Sequence, residues 1–236
     1  MPWVAYLPII STLCCVYFFN EIYRHWRAKP GAFYLMWWTI GVFCYGLGTL
    51  LESIHTLAGW SPVVFKAWYI AGAFLGGVPL AQGTVYLLMP KAIAHKMTAV
   101  LGVVLVISAG LVVASPLDVS AVSDKLNGNV LEWSFIRAIT PVINIYAFIF
   151  LVGGALYSAG KYLGNAEFKG RFWGNGFIAL GGLLPGIGGT MAKFGQTYVL
   201  YVTELIGIVL IYAGYSVIRR DRSLSIHPSQ ARPQTA

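Results

Sequence analysis

Residues 97–115 read MTAVLGVVLVISAGLVVAS, nineteen positions without one charge. A helix crossing the ~30 Å hydrocarbon layer of a bilayer needs about 20 such residues, because each advances the chain only 1.5 Å. The run is unbroken, whereas a lipid-facing strand would alternate apolar and polar positions, so it reads as a helix. The same signal recurs on both sides of it. Further spans fall at 3–23, 32–57, 63–89, 134–159, 173–192 and 198–218. The expected fold is all-α: a polytopic membrane protein of seven transmembrane helices. Residues 1–222 would form one transmembrane domain, and 223–236, rich in Ser, Pro and Gln, a disordered cytoplasmic tail.

Composition agrees. Hydrophobic residues make up 58% of the chain and charged ones 10%, against about 25% charged in a soluble domain. The first apolar stretch lacks a basic leader and carries its positive charges afterwards, so it reads as a retained helix and not a signal peptide.

The basic residues set the expected orientation. Arg24, Arg27, Lys29, Lys91, Lys96, Lys161, Lys169, Arg171, Arg219, Arg220, Arg222 and Arg232 all follow an odd number of crossings. Lys66, Lys125, Arg137 and Lys193 are the only basic residues nearer the other side. Basic loops stay in the cytoplasm, which places the N-terminus outside and the C-terminus inside, most simply in the cell (inner) membrane. The net charge of +8 is spread over short loops facing anionic lipid, so the partner it implies is the bilayer and not nucleic acid. Trp3, Trp60 and Trp133 fall at outer helix ends and Trp26 and Trp173 at inner ones, as interfacial anchors do. Cys14, Cys15 and Cys44 lack metal or redox spacing and read as small buried residues.

A shift of 133 residues aligns Ala5, Pro8 and Ile10 with Ala138, Pro141 and Ile143. It also aligns Leu47-Gly48-x-Leu50-Leu51 with Leu180-Gly181-x-Leu183-Leu184. This would make helices one to three and five to seven a parallel repeat, joined by helix four, as in some transporters.

Chemistry concentrates in few residues. Of eight acids, only Glu52 and Glu204 lie well inside spans, where each costs about 2.5–3.5 kcal/mol on insertion scales. Tyr45, Gly48, Glu52 and His55 share one face of helix two by their spacing. Arg137, Thr140 and Asn144 share one of helix five, and Tyr201 and Glu204 one of helix seven. Polar faces turn inward in lipid, which predicts a pocket in the outer half of the bundle lined by Glu52, His55, Arg137, Asn144, Tyr201 and Glu204. One arginine cannot neutralise two carboxylates, and the surplus acid points to function over structure. Glu52, His55 and Glu204 are also the one set that could hold a single zinc ion. Pro141 and Pro185, the latter among five glycines, mark candidate hinges.

The function expected is binding or transport of a small solute or ion through this pocket, with proton coupling in view. A ligand sensor acting through a separate membrane partner, and a non-catalytic subunit of a larger membrane complex, are the alternatives. No span holds an aspartate and only one a histidine, so a hydrolase set is missing. Nothing in the residues names a cofactor.

Overall fold

The computed structural model describes residues 2–123 and 125–221. Asp124, Arg222 and the expected tail 223–236 lie outside the described residues, as does the tail boundary drawn there. The described chain is all-helical, apart from one antiparallel bridge between Leu117 and Leu131.

Seven long helices follow in order: α1 (Leu7–Ala28), α2 (Phe33–Ala58), α3 (Pro62–Leu88), α4 (Lys91–Ala114), α5 (Ser134–Lys161), α6 (Lys169–Lys193) and α7 (Thr197–Arg220). A short 3-10 turn, Pro2–Tyr6, precedes α1. Six of the seven are long and apolar enough to cross a membrane; α6 is the exception. Its 25 residues would reach across by length, but eight of them are glycine and dilute its hydropathy. Positive-φ glycines make two of the corners, Gly59 after α2 and Gly195 after α6, where a side chain would be strained.

Two helices are irregular inside the bundle. α3 passes through a π-helical stretch, Tyr69–Phe74, and α5 through another, Phe148–Gly153. The counterpart of the α5 stretch under the 133-residue shift, Cys15–Asn20, is regular α-helix. Pro8 stands at the start of α1, whereas Pro141 is interior to its helix. Local geometry therefore does not repeat between the helices that the shift would pair.

The tightest contact is between α6 and α7, and glycine makes it. Gly174, Gly181 and Gly188 recur every seventh residue on α6, and Gly207 and Gly214 answer them on α7. A Cβ on Gly181 would lie 2.6 Å from the Gly207 carbonyl oxygen, and one on Gly214 2.4 Å from that of Gly174. Small residues let membrane helices approach closely enough for dispersion to hold them. α6 runs without interruption through Pro185, whose ring rests against Gly207.

At the end of the bundle bearing the N-terminus, the described residues between 116 and 133 pack against the helices. Leu126, Val130 and Leu131 are buried in the main core, and Gly128 stands against Tyr69 of α3. Asp118 accepts from the backbone N–H and hydroxyl of Ser120, which holds its carboxyl below the usual range. Lys66 donates to the carbonyls of Val113 and Ser115 (2.7 and 2.9 Å), capping the C-terminal end of α4.

Candidate functional site: a buried carboxyl pair

Glu52 lies six residues before the end of α2, and Glu204 seven residues after the start of α7. Both are thus about 9–11 Å below the same end of the bundle at 1.5 Å per residue. The approach of α2 to its neighbours brings them together. Gly48 lets α2 touch α3, since a Cβ there would stand 3.0 Å from the Gly72 Cα. Tyr45, two turns below Glu52, donates its hydroxyl to the Glu204 carbonyl oxygen at 2.8 Å and ties α2 to α7. Cys15 of α1 seats against Gly46 and closes the cluster from the far side.

Glu52 is only 2% exposed. Its Oε1 accepts from the Trp68 indole N–H at 2.9 Å, and Trp68 immediately precedes the π-helical stretch of α3. Such wide turns often accompany functional sites, because they re-aim side chains. The carboxyl of Glu204 stands against that of Glu52. The Oε2 of each is shut from solvent, with no hydrogen-bond donor among the described residues. A carboxylate can only accept, so two of them hydrogen-bond only if one carries a proton. One proton held between the pair would satisfy both oxygens and halve the buried charge.

Several expectations need correction. Arg137 does not join the carboxyls: its guanidinium donates to Asn129 Oδ1 in the 116–133 segment at 2.7 Å. It stands in the first turn of α5, where a long side chain reaches the polar end more cheaply than the core. No Lys or Arg among the described residues pairs with either carboxyl; the ion pair Arg219–Glu21, at 2.8 Å, is at the opposite end.

Asn144 is exposed on the outside of α5. The buried seam of that helix is Ile136, Thr140, Ile143 and Ala147. Thr140 meets the Tyr69 hydroxyl at 2.8 Å, while its helical neighbours Arg137 and Asn144 fall beyond the seam's edge. Of the three residues expected on one face of α5, Thr140 is therefore the one that turns inward, and the two expected to line the pocket, Arg137 and Asn144, do not.

Of the remaining expected residues, Tyr201 and Glu204 stand beside Glu52. Tyr201 is buried beside both carboxyls, beneath Val4 of the N-terminal 3-10 turn and Leu200. His55 is buried one turn beyond Glu52. Among the described residues no three His, Cys, Asp or Glu side chains converge as a metal centre, so the Glu52–His55–Glu204 zinc arrangement is not formed.

The expected pocket, open toward the outer side, is closed in this conformation. Thr56 donates to the Ala5 carbonyl at 3.3 Å, which draws the N-terminal turn over the end of α2. Lys125 lies 6.0 Å above the Tyr198 ring, at the start of α7. The site residue that spacing alone missed is Trp68; its signal was an indole on a neighbouring helix at the depth of a buried acid. Compared with known proteins, the chain matches no family model, no curated protein and no solved structure.

Proposed function

We propose that the protein lies in the cell membrane with its N-terminus outside, and that it moves a small cation or cationic solute in exchange for the proton shared by Glu52 and Glu204. The orientation rests on the sorting of Lys and Arg to the loops after odd crossings. α6 crosses with the other six helices in this reading, shielded from lipid along one side by its glycine seam with α7.

One observation carries the functional reading: two buried carboxyls meet, and among the described residues an oxygen of each has no donor and no basic side chain balances them. A structural ion pair would have its cation in place. An acid pair lacking one is suited to hold a proton and to accept a positive charge when the proton leaves. Trp68 fixes one oxygen of the pair, and Tyr201 is buried beside both.

Access requires motion of what covers the site, the N-terminal turn and the 116–133 segment. Pro185 is the hinge in this reading, because it bears on Gly207, one turn from Glu204 on α7. Pro141 would allow α5 to follow. No duplication of the first three helices in the last three is needed.

Proteoliposomes containing a pH-sensitive dye test the proposal. A gradient of Na+, K+, guanidinium or a small primary amine should drive counter-movement of protons with at least one of them. The double substitution Glu52→Gln with Glu204→Gln should abolish it. Proton movement with none of these cations, or movement untouched by the double substitution, overturns the reading.

A further inference from the structure

α4 is the least buried of the six apolar helices; Lys66 caps its C-terminal end, and a polar bolt fastens it near its N-terminal end. Gln82 of α3 donates to Thr98 Oγ1 at 2.8 Å and to the Ala94 carbonyl at 3.2 Å, and it accepts from the Tyr146 hydroxyl of α5. Beyond the bolt α4 and α5 part, leaving a lateral groove of about 400 Å³. Leu101 and Ile143 form its buried floor, while Val100, Val104 and Val142 are its exposed rim. These α4 positions and Met97 recur at three and four residues, so one face of the helix supplies one wall. Tyr146 closes the far wall, immobilised by its bond to Gln82.

The groove has one charged residue, Lys96, at its end. Lys96 is exposed, and no acid among the described residues pairs with it. It stands five residues into α4, about 7.5 Å from the helix start at Lys91, a depth from which an ammonium reaches the headgroup layer. From Lys96 to Val104 the wall runs about 12 Å along the helix axis.

We propose that this groove is a binding site for a phospholipid with an anionic headgroup. One acyl chain lies along Val100, Leu101, Val104 and Val142, and the phosphate sits against Lys96. Charge complementarity selects the occupant: the body is apolar, the single polar end is cationic, and the groove opens sideways to the lipid. An anionic headgroup is attracted to a basic side chain at the membrane surface, and the apolar walls gain dispersion contact along the acyl chain. A zwitterionic lipid would fill the same walls but gain less at Lys96. The inference is independent of any role for Glu52 and Glu204.

Native mass spectrometry on protein purified in mild detergent, with equal phosphatidylglycerol and phosphatidylcholine added, tests it. Wild type should retain the anionic lipid at least fivefold over the zwitterionic one. Lys96→Gln, a surface change that leaves the fold intact, should bring the ratio to near parity. Val104→Trp should fill the groove and lower retention of both lipids. Lys169→Gln, on α6 and away from the groove, should leave the wild-type ratio unchanged. A preference that survives Lys96→Gln, or that falls equally in Lys169→Gln, overturns the site and leaves only a general attraction of the basic end for anionic lipid.

Discussion

The Trp68 indole N–H meets Oε1 of Glu52 across 2.9 Å, while the other oxygen of the same carboxyl, which stands against the Glu204 carboxyl group, has no donor among the described residues. A donor from α3 thus fixes how an acid on α2 presents itself to an acid on α7. Trp68→Phe keeps a ring in the core and removes only the donor end of the indole. It should lower thermal stability in detergent by about 1–3 kcal/mol, the cost of stranding a buried acceptor. Adding Glu52→Leu should recover part of that loss, since the stranded acceptor is then gone. A double variant no better than Trp68→Phe alone would mean that ring packing, and not the hydrogen bond, carries the effect.

The α6–α7 seam gives a comparison between two glycines on one helix. Gly181→Ala would place a methyl 2.6 Å from the Gly207 carbonyl oxygen, and the helices must separate to admit it. A loss of about 1–3 kcal/mol is expected, as for overpacking a well-filled core. Gly186 has no atom within 4 Å of its would-be Cβ. Gly186→Ala should therefore stabilise by up to about 1 kcal/mol through helix propensity. Melting temperatures measured in parallel check both signs; equal effects would show that the seam is not closely packed in solution.

The helices were legible because hydropathy over 20 residues is a sum, and sums tolerate local irregularity. α6 tested that limit, because glycine serves packing at the expense of the apolarity that marks a span. The acid pair was half legible. Glu52 and Glu204 stand out as charges at one depth, and helical spacing brings Tyr201 and Tyr45 with them. Arg137 was misplaced because periodicity gives the face of a residue but not the reach of its side chain, and a flexible arginine near a helix end goes to the polar side. Asn144 was misplaced by a fraction of a turn, since the seam through Thr140 and Ile143 depends on which neighbour α5 meets. Neither π-helical stretch left a signal in the sequence, because both are made of ordinary apolar residues.

Topology can be read directly. A reporter inserted near Asn127, in the 116–133 segment, should read external, and one fused at the C-terminus should read cytoplasmic. The division of twelve basic residues against four motivates both expectations. If both reporters read on the same side, α5, α6 and α7 do not all cross, and the glycine-rich α6 is the helix to suspect.

Pro185→Ala restores a backbone donor inside α6 and removes the ring that rests on Gly207. If α6 only packs, folded yield and proton exchange should both stay near wild type. If it bends during a cycle, yield should hold or rise while exchange falls several-fold. Proteoliposome flux, normalised to folded protein by size-exclusion chromatography, separates the two outcomes.

The carboxyl pair makes a prediction opposite in sign to that of an ion pair. Had Arg137 neutralised Glu204, replacing Glu204 by Gln would strand a buried cation at about 3–5 kcal/mol. With Arg137 bonded to Asn129 instead, Glu204→Gln exchanges the proton proposed to be shared for an amide N–H that can donate to Glu52. Stability should be unchanged or higher, and the same should hold for Glu52→Gln, whose amide oxygen still accepts from Trp68. Arg137→Gln should cost no more than the ~0.5 kcal/mol typical of a surface change. Cation-driven proton exchange should nonetheless fail in either glutamate variant and persist in Arg137→Gln. Melting curves and flux on the three single variants and on the Glu204→Gln/Arg137→Gln double variant decide between the arrangements: a marked loss of stability in Glu204→Gln, relieved in the double variant, would mean that the two side chains meet after all.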